Sequence, residues 1–62
     1  MIIPFTDSIG ATPIYINPRY VLSVRPDPTD PNRITLVKLE DGETIRIQGE
    51  HSEVAERLAK AA

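Results

Sequence analysis

The residues best equipped for chemistry in this chain are Glu50-His51-Ser52, an acid, a base and a hydroxyl in succession around its one histidine. A general base needs an orienting partner and a pocket, and three consecutive side chains rarely converge on one point. The run also stands just before a helix-forming stretch, so it reads as a solvated helix entrance. Asp27, Asp30 and Asn32 bring oxygen ligands into one segment. A calcium loop alternates ligands at every second residue, turns at a glycine and closes on a distal glutamate. This segment lacks that spacing and has proline where flexibility is needed, so it reads as a stiff surface loop that uses Asp for turns. There is no cysteine, and a single histidine cannot close a zinc site. With no glycine-rich phosphate loop and no nucleophile elbow, the expectation is a protein that is not an enzyme and holds no cofactor or metal.

The basic residues are a second candidate. Arg19, Arg25, Arg33, Lys38 and Arg46 precede the C-terminal helix, whose own end is acidic to neutral. Such groups contact phosphate backbones. No aromatic platform lies on the hairpin that carries Lys38 and Arg46 for stacking bases, no second helix is available for a groove, and the net charge is −2. Nucleic-acid binding through a basic sheet face is therefore the runner-up, behind a protein interface.

The element that must position these groups is Ile34–Gln48, ITLVKLEDGETIRIQ. Asp41-Gly42 between two β-rich runs is a strong hairpin signal. A two-residue loop would set Leu36 opposite Ile47 and mix apolar with charged side chains on both faces. A three-residue loop, Glu40-Asp41-Gly42 with Gly42 left-handed, sets Val37 opposite Ile45 and Thr35 opposite Ile47. It gathers Val37, Leu39, Ile45 and Ile47 on one face and Lys38, Thr44, Arg46 and Gln48 on the other. One residue of slip exchanges the faces, so sorting by burial selects the three-residue loop. Ile34 and Leu36 are then left outward beside Lys38 and Arg46, an apolar centre with a charged rim of the kind a protein contact uses. Tyr15 and Tyr20 could extend that surface.

Around the hairpin, Ile2 to Phe5 reads as a strand kept at a sheet edge by Pro4, and Ile14 to Ile16 resumes the extended chain as a second, looser hairpin. Asn17-Pro18 is the start of a single helical turn. Val21 to Arg25 follows as a strand, its inward residues being 22 and 24, or 21 together with the turn. Residues 26–32 carry three of the six prolines and read as a stiff, protruding connection. Ser52 is the expected N-cap of a helix running to about Ala61. Val54, Leu58 and Ala61 form its apolar stripe. Glu53 and Glu56 stand four residues ahead of Arg57 and Lys60, the favourable order for ion pairs. Too short to persist alone in water, the helix must lie on the Val37/Leu39/Ile45/Ile47 face. The expected fold is α+β: one domain over residues 1–62, with a small antiparallel sheet of about four strands in two hairpins and one C-terminal helix packed on one face.

Size adds a constraint. At 62 residues without cysteine, the chain has neither a large core nor disulfides, and association is the remaining common remedy. A homo-oligomer, most simply a two-fold dimer, is expected, with room for a protein partner of unknown identity. No apolar run is long enough to span a membrane, and the N-terminus has no basic, apolar leader, so a cytoplasmic location is expected.

Tyr15-Ile16-Asn17-Pro18, the apolar strand at Val21–Val24, Pro26-Asp27, Ile34-Thr35-Leu36 leading to Gly42, and Ser52-Glu53-Val54 fall in an order that resembles the small flagellar FlbD-type proteins, with a turn glycine at Gly10. The resemblance spans almost the whole chain. It implies a non-enzymatic accessory role in motility and transfers no catalytic residues. The chain departs from the pattern in its longer, proline-richer segment at 26–33 and in Gly49-Glu50-His51 at the helix entrance.

Overall fold

The computed structural model describes residues 1–61. In chain order these form β1 (Ile3–Thr6), β2 (Pro13–Ile16), a 3-10 turn at Pro18–Tyr20, β3 (Val21–Pro26), β4 (Ile34–Leu39), β5 (Thr44–Gln48) and α1 (His51–Ala61). The fold is α+β, with an antiparallel β1-β2 hairpin and an antiparallel β3-β4-β5 sheet. The strand count is five where about four were expected, with the segment at 21–26 joining the β4-β5 hairpin as a third strand.

The β4-β5 register follows from the turn. Val37 pairs with Ile45, Thr35 with Ile47 and Lys38 with Thr44. Leu39 N–H donates to the Glu43 carbonyl (2.8 Å) and Gly42 N–H to the Leu39 carbonyl (3.0 Å), which leaves Glu40-Asp41-Gly42 as a three-residue loop. Gly42 sits at φ +91°, in the left-handed region where a side chain would be strained. Asp41 Oδ1 accepts the Glu43 N–H at 2.9 Å and holds the bend.

On β3 the register shifts between Val21 and Ser23. The extra residue, Leu22, lets both Val21 and Val24 pack against the core, so neither simple alternation holds for this strand. Leu22 itself is 60% exposed.

The core lies between the inner sheet face, the helix and the N-terminal hairpin. Val37 and Ile47 are fully buried, with Ile3, Phe5, Ile16, Val54 and Leu58 around them. Thr35, also fully buried, donates its hydroxyl to the Gly49 carbonyl at 2.8 Å, which ties β4 to the helix entrance without leaving a buried polar atom unpaired. The helix stripe Val54, Leu58 and Ala61 lies on this core as its spacing requires. At Gly49 (φ +131°) an added Cβ would come within 3.1 Å of Val54 Cγ2, so glycine allows the helix to start this close to the sheet.

Two expectations about the helix are corrected. Its cap is Glu50 rather than Ser52: Glu50 Oε1 accepts N–H groups from Ser52 (3.1 Å) and Glu53 (3.3 Å). Of the two expected ion pairs only Glu56–Lys60 forms, at 2.9 Å. Arg57 instead donates to the Pro4 carbonyl at 3.0 Å and places its guanidinium 4.4 Å from the centroid of the Phe5 ring. That packing joins the helix to β1 and gives Pro4, which has no N–H for a ladder, a bond through its carbonyl. The β1-β2 hairpin reaches β5 through a bridge between Asp7 and Ile47 and a Ser8 N–H bond to the Arg46 carbonyl (3.1 Å).

Because Ile47 is fully buried at the meeting of these parts, its truncation should be felt throughout. Ile47→Val is expected to cost about 0.5–1.5 kcal/mol and Ile47→Ala about 2–5 kcal/mol in urea unfolding. A loss within error for Ile47→Ala would contradict this core.

Candidate functional site

The helix and the N-terminal hairpin both send their buried residues to one face of the β3-β4-β5 sheet. The other face is organised by register alone. Arg25 pairs with Leu36 and Leu36 with Arg46, making one cross-strand row. Ser23, Lys38 and Thr44 make the next. Ile34, paired with Gln48, lies beyond the first row, and the hairpin tip with Glu40, Asp41 and Glu43 lies beyond the second. Arg25, Lys38 and Arg46 are exposed, whereas Ile34 and Leu36 are half-buried.

Of the residues expected on the interaction surface, Ile34, Leu36, Lys38 and Arg46 thus share one face. The two tyrosines are not on it. Tyr15 pairs with Pro4 in the other sheet and is 66% exposed. Tyr20 ends the 3-10 turn and borders a notch of about 320 Å³ with Leu39, Glu40 and Asp41. A bond from Glu40 N–H to the Tyr20 carbonyl (2.8 Å) fixes that turn to the hairpin tip.

Arg46 carries an intramolecular role that its exposure alone does not reveal. Its Nε donates to Asp27 Oδ2 at 2.8 Å, and its Nη2 reaches the same oxygen. Asp27 Oδ1 accepts the Thr29 N–H and hydroxyl, both at 2.8 Å. The Asp27 N–H continues the β3-β4 ladder to the Ile34 carbonyl (3.0 Å). Asp27 is therefore buried, and the proline-rich segment is tucked against the sheet at its start instead of protruding throughout. The carboxylate and guanidinium come from either side of β4 and meet across its outer face. The Thr29 N–H bond, then the Thr29 hydroxyl and Arg46, hold the Asp27 carboxyl below the usual aspartate range, against the opposing effect of burial.

The Glu50-His51-Ser52 run is likewise used in structure. The Ser52 hydroxyl donates to Glu50 Oε1, and His51 Nε2 lies 3.2 Å from Glu50 Oε2. The Ser52 hydroxyl bond, then its N–H, hold the Glu50 carboxyl below its usual value. Serine and histidine both point at the Glu50 carboxylate rather than at each other, so the trio builds a helix cap in which the imidazole is not set on the Ser52 hydroxyl. Among the described residues, no group of three or more His, Cys, Asp or Glu could hold a metal ion, and no helix is long and apolar enough to cross a membrane.

Comparison with protein-family models, with curated proteins and with solved structures gives no match.

The depressed Asp27 carboxyl has a signed consequence. Its stabilising contribution is fully present above the unfolded-state value, about 3.9, and is lost as pH falls through the lower folded-state value. Urea midpoints measured from about pH 5 down to about pH 2 should fall less steeply for Asp27→Asn than for the unsubstituted protein, and Asp27→Asn should be the weaker of the two at neutral pH. Parallel curves of equal height would show that the ionised Asp27 carboxyl, with its Thr29 and Arg46 bonds, contributes nothing.

Proposed function

We propose that this chain is a non-enzymatic protein-interaction module that works as a homo-oligomer in the cytoplasm, through the outer face of its three-stranded sheet. The observation that carries the reading is the Arg25-Leu36-Arg46 row with Ile34 beside it: an apolar centre, rimmed by cations, on the sheet face that the core does not use. Apolar side chains at the centre and charge at the edge are the arrangement of a specific protein contact. A chain of 62 residues also gains most from such a contact, since its own core is small. The commitment of Glu50, His51 and Ser52 to a helix cap supports the non-enzymatic part of the reading. The resemblance to small flagellar proteins would place the module among accessory factors of motility.

Nucleic-acid binding is a second reading, favoured by Arg25, Lys38 and Arg46 all lying on that face. Salt separates the two. Affinity for a polynucleotide falls steeply with ionic strength through counterion release, while a contact centred on Leu36 should persist.

Leu36→Asp is the direct test. It should abolish the oligomer, read as mass by light scattering, and leave the circular dichroism of the fold unchanged. An unchanged mass with the fold intact would show that the surface lies elsewhere.

A further inference from the structure

The notch between the 3-10 turn and the hairpin tip shares no residue with the Arg25-Leu36-Arg46 row. Its volume is about 320 Å³, lined by Tyr20 and Leu39 with the acidic residues Glu40 and Asp41 beside them. The walls are fixed by backbone bonds. Tyr20 N–H donates to the Asn17 carbonyl (3.1 Å), Glu40 N–H to the Tyr20 carbonyl (2.8 Å) and Gly42 N–H to the Leu39 carbonyl (3.0 Å). Leu39 packs against the core from behind, whereas Tyr20 is left 52% exposed. Glu40 and Asp41 are exposed as well. Among the described residues neither carboxylate forms an ion pair, although Arg19 and Lys38 stand close by in the sequence.

We infer that this notch receives an arginine side chain from a partner protein. An apolar wall edged by acidic residues matches a side chain with an aliphatic stem and a cationic head. A guanidinium also stacks on a tyrosine face and spreads its donors over two acceptors, which an ammonium does less well. Tyrosine and arginine are the residue types that anchor protein contacts most often. Walls already hydrogen-bonded into place lose little freedom when the anchor enters. A divalent cation is a poor alternative, since it takes six or more oxygen ligands and among the described residues no cluster of three acidic groups could hold one. A phosphate is disfavoured by the sign of the charge. The notch would thus serve a contact separate from the one centred on Leu36.

The experiment is a titration followed by amide chemical shifts. The probe is a blocked peptide, Ac-Ala-Ala-Arg-Ala-Ala-amide, taken to about 10 mM because a single side chain implies affinity near about 1 mM. Saturable shifts should be confined to Tyr20, Leu39, Glu40, Asp41 and their neighbours. The same peptide with citrulline, which keeps the shape and loses the charge, should give none. Glu40→Gln and Tyr20→Leu alter exposed side chains and leave the Glu40–Tyr20 backbone bond in place. Each should weaken binding about two- to fivefold with an unchanged dichroism spectrum. Leu36→Asp should leave the titration as it is, so the result does not depend on the outer face. No saturable shift at the notch, or equal affinity for the citrulline peptide, would overturn the inference. Equal affinity for a lysine peptide would overturn the choice of arginine. If the same amides shift with the protein's own concentration and Tyr20→Leu lowers its mass, the anchor belongs to a second copy and the separate partner falls.

Discussion

The fold depends on a one-residue decision at the β4-β5 turn. With Glu40 in the loop and Gly42 at φ +91°, Val37 and Ile47 are placed on the same side and fully buried. With Glu40 returned to the strand, every residue of one arm would change face relative to the other. The helix would then lose the apolar surface on which it forms, and a helix this short does not persist without one. The N-terminal hairpin follows in turn, since Ile3, Phe5 and Ile16 complete the same core and Arg57 of the helix packs on Phe5 and Pro4. A turn of three residues thus sets what the remaining elements can bury.

The same register determines what is left outside. Leu36 is held between Arg25 and Arg46, and Arg46 reaches across β4 to a buried Asp27. A carboxylate removed from water is tolerated when hydrogen-bonded and paired, and Asp27 has Thr29 on one oxygen and Arg46 on the other. The pair joins the start of the proline-rich segment to the sheet and narrows the outer face to a small apolar centre between charges. It also draws on one of the cations that a purely electrostatic binding surface would present.

Local patterns were legible in the sequence where a single alternative sorted the residues by burial. The hairpin register is the clearest case, because alternation in both arms agrees on only one loop length. Asn17-Pro18 is another: Asn17 Oδ1 accepts the Arg19 N–H at 3.0 Å and Pro18 opens the 3-10 turn. The helix stripe at Val54 and Leu58 is a third. Long-range choices were not legible. The Asp27–Arg46 pair spans 19 positions and depends on the β3-β4 register, which a bulge at Leu22 conceals. With Val21, Leu22 and Val24 all apolar, the strand reads equally well in either phase. At the helix entrance, serine has the better intrinsic preference for the cap, but Glu50 has the reach to accept from both Ser52 and Glu53 once Gly49 has turned the chain. Arg57 leaves its exposed partner Glu53 for an aromatic face and a carbonyl, a better exchange than a solvent-screened ion pair. On the candidate surface, the four hairpin residues were legible from alternation. Arg25 required the hidden register, and Tyr15 and Tyr20 fall outside the face because their segments belong to other parts of the fold.

The most direct test of this account is the pattern of cross-strand Hα–Hα nuclear Overhauser effects in the β4-β5 hairpin. Leu39 and Glu43 form the hydrogen-bonded pair next to the loop, so by alternation Lys38–Thr44 and Leu36–Arg46 are the closely spaced pairs between hydrogen bonds. Strong effects are predicted between those two pairs. Strong effects between Leu39 and Thr44 and between Val37 and Arg46 would place Glu40 in the strand, and the burial pattern derived from the turn would not stand.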